Sequence, residues 1–78
     1  MDYAKKVFEL EGISYSDDLD FNSSEMIKTI FKLAEKHDCF PFKSIGNGWV
    51  VNVPGMPSGK TPQEAILKGV LFVKEHSA

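Results

Sequence analysis

Arginine is absent from the 78-residue chain, so its permanently basic side chains are nine lysines. Lysine offers a point charge where arginine offers a rigid fork, and losing the fork disfavours bidentate reading of guanine edges and phosphates. A single cysteine excludes an internal disulfide and a cysteine-based zinc site, which fits a reducing compartment. No apolar run approaches the roughly 18 residues of a membrane span. The charged start at Asp2, Lys5 and Lys6 lacks the apolar stretch of a signal peptide. These absences predict a cytoplasmic protein with no membrane partner. At this length about 60% of the unfolded surface is buried on folding, enough for one core, so residues 1–78 are read as a single domain.

Charge is distributed unevenly. Residues 1–40 carry nine acids and five lysines (net −4), whereas residues 41–78 carry two acids and four lysines (net +2).

Hydrophobic spacing predicts a first helix over residues 2–11, with Tyr3, Val7 and Phe8 on one side and Gly12 ending it in a left-handed conformation. Residues 13–21 read as an acidic loop. A second helix is expected to open at Asn22 as N-cap, with Glu25 as reciprocal partner, and to run to about His37. Its core face gathers Met26, Ile27, Ile30, Phe31, Leu33 and Ala34, opposite a row of Lys28, Lys32 and Lys36. Residues 40–45 and 49–53 alternate as strands around Gly46-Asn47-Gly48, a tight hairpin signal. The hairpin is expected to place Phe40, Phe42, Trp49, Val51 and Val53 against the helices and Lys43, Ile45, Val50 and Asn52 on the other face. After a loop, Thr61-Pro62-Gln63-Glu64 supplies a Thr cap, a first-turn proline and a capping glutamate for a last helix. Its stripe is Ala65, Ile66, Gly69, Val70 and Val73, with Gly69 admitting close approach of the sheet. The fold class is α+β, in the order α-α-β-β-α.

Motifs for chemistry fall short of their requirements. Gly55-Met56-Pro57-Ser58-Gly59-Lys60-Thr61 stands between strand and helix like a phosphate loop. It has three residues before Gly-Lys-Thr where four are needed, and proline where the first glycine belongs. Asp18, Asp20 and Asn22 begin a calcium-loop spacing, but Ser23 replaces its glycine and Thr29 its closing glutamate. His37, Asp38 and Cys39 sit too close in sequence to form a nucleophile–base pair without a special turn. No catalytic residue, metal ligand or cofactor-binding residue is assigned, and the chain is expected to be a non-enzyme.

Surfaces remain. On the last helix Leu67 and Leu71, with Phe72 at their margin, lie beyond the main stripe, and Ile45 and Val50 share the second hairpin face. Both groups are expected to bind a protein partner or a second copy of the chain. The competing arrangement lays the first helix over the leucines through Val7 and Phe8. Lys28, Lys32 and Lys36 are the candidate nucleic-acid contacts, weak at best because Glu25 and Glu35 share their face.

Trp49-Val50-Val51-Asn52-Val53 followed by Gly59-Lys60-Thr61-Pro62-Gln63-Glu64-Ala65-Ile66 resembles the endings of small phage and prophage proteins, in which a strand leads through G-x-T-P-x-E-A into a helix. The likeness spans residues 48–73. The same segment is similar to HicB-type antitoxins and, more distantly, to the last helix of double-stranded-RNA-binding domains. The resemblance implies a small accessory protein of a phage or mobile element, in the cytoplasm of a bacterial host, that modulates a macromolecular partner without chemistry. The alternative it implies is a nucleic-acid-binding or antitoxin-like regulator.

Overall fold

Helix boundaries follow from the hydrogen bonds their end residues can make. The computed structural model describes residues 2–44, 46, 48–55 and 57–76. Helix α1 (Asp2–Glu11) stops at Gly12, whose φ of +70° turns the chain so that Gly12 N–H donates to Glu9 O (3.3 Å) and Ile13 N–H to Phe8 O (2.8 Å). Those two bonds satisfy carbonyls that the helix end leaves open.

Helix α2 (Ser24–His37) starts one residue later than the sequence suggests. Ser23, not Asn22, is the N-cap, its Oγ accepting from Met26 N–H at 3.2 Å. Asn22 is held in a turn by its own N–H, which donates to Asp20 Oδ1 at 2.9 Å. That turn moves the cap and leaves Glu25 as a first-turn charge suited to the helix dipole. At the other end Asp38 takes the left-handed conformation (φ 56°), and Cys39 N–H donates to Ala34 O at 2.9 Å.

Strands β1 (Pro41–Lys43), β2 (Trp49–Val51) and β3 (Ser58–Gly59) form an antiparallel sheet in the order β1-β2-β3. Gly46 (φ +110°) and Gly48 (φ +97°) provide the turn; Ile45 and Asn47 lie outside the described residues. The third strand adds to the expected α-α-β-β-α order. Ser and Gly carry no strand signal, and β3 exists because β2 recruits it: Val51 N–H donates to Pro57 O at 3.2 Å.

The register pairs Phe42 with Val50 and Pro41 with Val51. Directly paired residues share a face, so even-numbered side chains of the hairpin go one way and odd-numbered ones the other. This corrects the expected hairpin faces. Val51, Val53 and Cys39 are buried, whereas Phe40 and Phe42 remain 45% exposed each, on the outer side with Val50 and Asn52.

Helix α3 (Pro62–His76) packs against α1, α2 and all three strands. Its start is the expected cap: Glu64 N–H donates to Thr61 Oγ1 (3.2 Å), while the Glu64 carboxylate accepts from Lys60 N–H (3.3 Å). Leu67 is 0% exposed, which corrects its placement on an outer partner surface. Helix α1 covers that side of α3. Lys68 Nζ stands 5.4 Å from the Tyr3 ring centroid, Lys6 reaches Glu75, and Lys74 pairs with Glu11. The three-sided monomer core is therefore realised, with Val7, Phe8, Ile66, Leu67 and Val70 inside it.

The approach of α3 to β2 is set at Gly69, where an added Cβ would stand 2.6 Å from Val51 Cγ2. Gly69→Ala gains about 1 kcal/mol of helix propensity, but a Cβ 2.6 Å from Val51 Cγ2 overpacks a buried contact at the upper part of the usual cost, about 2 to 3 kcal/mol. Urea titration should show a net loss of about 1 to 2 kcal/mol, and in a Val51→Ala background the same substitution should become neutral or stabilising. Equal stability of Gly69→Ala and the parent would mean that another contact sets the helix–sheet distance.

Candidate functional site

An antiparallel sheet with helices on one side ordinarily presents polar residues to water on the other. Here Phe42 and Val50 stand directly opposite one another on the open side, and Phe40, exposed like Phe42, lies immediately before β1. Phe40 is fixed locally, its N–H donating to Asn52 Oδ1 at 2.8 Å. Val50, half-buried, is thus the sequence-predicted contact residue that the structure leaves on an outer face; Ile45 lies outside the described residues.

Both sheet edges are blunted. Ser44 N–H donates to Gly48 O at 3.1 Å, so Ser44 and Phe42 aim their backbone groups at β2, and Pro41 and Lys43 aim theirs outward. Pro41 has no N–H to offer there. On the opposite edge Pro57 faces β2, Ser58 faces outward, and its carbonyl accepts from Lys68 Nζ at 2.8 Å. Addition of a further strand is hindered on each side, whereas the face stays open.

The groove at the start of α3 encloses about 620 Å³ between Gly48, Ser58, Gly59, Lys60, Glu64 and Lys68. A phosphate would need the free N–H groups of this helix end. Thr61 Oγ1 already takes the Glu64 N–H, and the Glu64 carboxylate takes the Lys60 N–H just before the helix and draws Lys68 to 3.5 Å. The neighbouring Tyr3 phenol is pushed up to about 12 by burial and by hydrogen bonding and charge from Glu64. Within the groove Glu64 pairs with Lys68, so its one carboxylate is already engaged.

A knot of charges elsewhere was not legible in the sequence. Glu11, its side chain 3% exposed, accepts from Lys36 Nζ at 2.9 Å and pairs with Lys74, and His37 Nε2 stands 3.3 Å from its Oε2. It ties the C-terminal ends of all three helices. Its partners are 25 or more positions away, and each is an ordinary last-turn base on its own helix, so no local pattern announces the contact. The knot also consumes Lys36, leaving Lys28 and Lys32 of the predicted row exposed on α2.

Other predicted positions fall apart in space or turn inward. Leu71 and Phe72 are half-buried against the core, and the Phe72 ring stacks on His76 at 4.1 Å between centroids. Cys39 is fully buried and donates its thiol to His37 O at 3.3 Å. Burial and then the Asp38 charge push that thiol up, the opposite of what a nucleophile needs. Among the described residues no group of three or more His, Cys, Asp or Glu converges as metal ligands, and no helix is long and apolar enough to cross a membrane. Comparisons with protein-family models, with curated proteins and with solved structures find no match.

The Glu11 knot makes stability depend on acid. Burial alone would raise the Glu11 carboxyl, but Lys74, Lys36 and His37 drawn up against it outweigh burial and hold the pKa down at about 2, against an ordinary 4.5. A lowered folded-state pKa contributes stability above 4.5 that is lost as pH falls from there towards 2. The shift corresponds to about 3 kcal/mol. Denaturant titrations across that range should show this loss in the parent and a much flatter profile in Glu11→Gln, which starts about 3 kcal/mol lower at neutral pH. Parallel profiles for the two proteins would remove Glu11 from the account.

Proposed function

We propose that this protein is a non-catalytic binding module, an accessory protein of the type found in phages and mobile elements, that engages a macromolecular partner through the open face of its sheet. The observation that carries the reading is the outer position of Phe40 and Phe42, half in water beside Val50 on a face that would ordinarily be polar. The reading also takes up the resemblance of residues 48–73, in which a strand, here Trp49–Val51, precedes a capped helix, here α3. The face does not depend on residues that hold the core. A partner can therefore be gained or lost without refolding the domain.

A role for Lys28, Lys32 and Lys36 as a phosphate-binding row is weakened by the engagement of Lys36 with Glu11. With two lysines left, counterion release supports only slight affinity.

The double variant Phe40→Ser, Phe42→Ser should lose no more than about 2 to 3 kcal/mol of stability in total, since each ring is already about half exposed. Core phenylalanines would cost about 3 to 5 kcal/mol apiece. The tagged parent, crosslinked in bacterial cells, should recover a protein or nucleic-acid partner that the double variant fails to recover. Unchanged recovery by the folded variant, or a core-sized loss of stability, would overturn the open-face reading.

A further inference from the structure

We infer, independently of the open-face reading, that strand β3 is a strap that opens separately from the rest of the fold, and that Lys68 is the latch holding it shut. Three observations lead there.

Packing holds the segment weakly. From Pro57 to Lys60 no side chain is buried, and Ser58 and Lys60 are exposed. At Gly59 the strand meets the start of α3 with backbone alone, since an added Cβ would stand 2.7 Å from Glu64 Cβ and 2.8 Å from Ala65 N. The segment can therefore lift away without drawing an apolar side chain out of the core. Segments with few buried apolar contacts open at a lower free energy than the whole domain.

What remains is a short set of hydrogen bonds. Towards β2, Val51 N–H donates to Pro57 O at 3.2 Å, and Pro57 has no N–H to return. Gly59 and Ser58 pair with Trp49 and Val50 and complete that ladder. Towards α3, Lys68 Nζ donates to Ser58 O at 2.8 Å, and Lys60 N–H donates to the Glu64 carboxylate at 3.3 Å. Both of these are charge-assisted, and the ammonium bond is the shorter and hence the stronger.

The latch is anchored on the firm side. Lys68 belongs to α3, between the buried Leu67 and Gly69. Its ammonium group is steadied by Glu64 Oε1 at 3.5 Å and by the Tyr3 ring of α1, 5.4 Å away at its centroid. None of these partners lies on β3, so all of them stay in place when the strand leaves. Opening deprives Val51 N–H of its partner and bares that edge of β2. One ammonium group thereby guards a sheet edge that would otherwise stand free.

Residue-resolved amide hydrogen exchange at pH 7 tests this, with Val51 reporting on the strap and Leu33 and Val70, buried in helices, reporting on global unfolding. In the parent, Val51 should exchange at least 100-fold faster than Leu33 and Val70. It should also respond little to low urea, because lifting the strap exposes little surface. Two variants separate the processes. Lys68→Met keeps the stem and the helix propensity but removes the donor, so Val51 exchange should accelerate roughly tenfold. Ile30→Val weakens the core of α2 far from the strap, so it should accelerate Leu33 and Val70 by roughly 3- to 10-fold and leave Val51 unchanged. Thermal melts establish that each variant is folded. If Val51 exchanges at the rate of Leu33 and Val70, or accelerates with them in Ile30→Val, β3 opens only with the whole fold and the inference is overturned. Unchanged Val51 exchange in Lys68→Met overturns it equally, because the latch would then lie elsewhere.

Discussion

The contact between Gly69 and Val51 governs the arrangement of everything else. Because no side chain stands on α3 at that point, the helix settles onto β2 at a distance that an added Cβ would contest at 2.6 Å. A helix so close to the sheet fills the inner face with few residues, among them Val51, Val53 and Cys39. Its remaining sides are then free to receive α1 and α2, which is how a short chain gives one helix five packing partners. The outer face of the sheet is left over by the same economy. Among the described residues no further element covers it.

Charge closes what packing opens. Glu11 is withdrawn from water at the end of α1, and it stays ionised because three bases from two other helices converge on it. Such a cluster fixes the relative placement of three helix ends, with lysines whose stems also cover apolar surface. At the opposite end of α3, Glu64 satisfies the Lys60 N–H and attracts Lys68, which in turn bonds the Ser58 carbonyl. A chain without arginine spends several of its lysines inward. Its lysine rows therefore overstate the charge available to a ligand.

Local grammar was legible in the sequence, and long-range choices were not. Gly12, the paired turn glycines and the Thr61–Glu64 cap declare themselves because each acts within a few residues. The α2 cap missed by one position because two adjacent residues could serve, and the Asp20 side chain claimed the Asn22 N–H first. Strand β3 has no propensity signal of its own and depends on pairing with β2. The hairpin faces required attention to parity: a register joining Phe42 to Val50 cannot place Phe42 beside Val51. Leu67 illustrates the remaining gap, since helical spacing shows that a residue lies off the main stripe but not that α1 will arrive to cover it.

That same parity decides what the surface can do. Had the phenylalanines shared the face of Val51, the sheet would present Pro41, Lys43, Val50 and Asn52 on its outer side, with no aromatic ring among them. In the observed register Lys43 folds over the Trp49 ring at 5.4 Å on the helix side, and the two phenylalanines face outward instead. Their exposure forgoes about half of the burial energy each ring could contribute. The fold does not recover that energy internally, because among the described residues no helix packs on that face. Covering the two rings would recover it without disturbing a core contact, because neither ring belongs to the buried cluster.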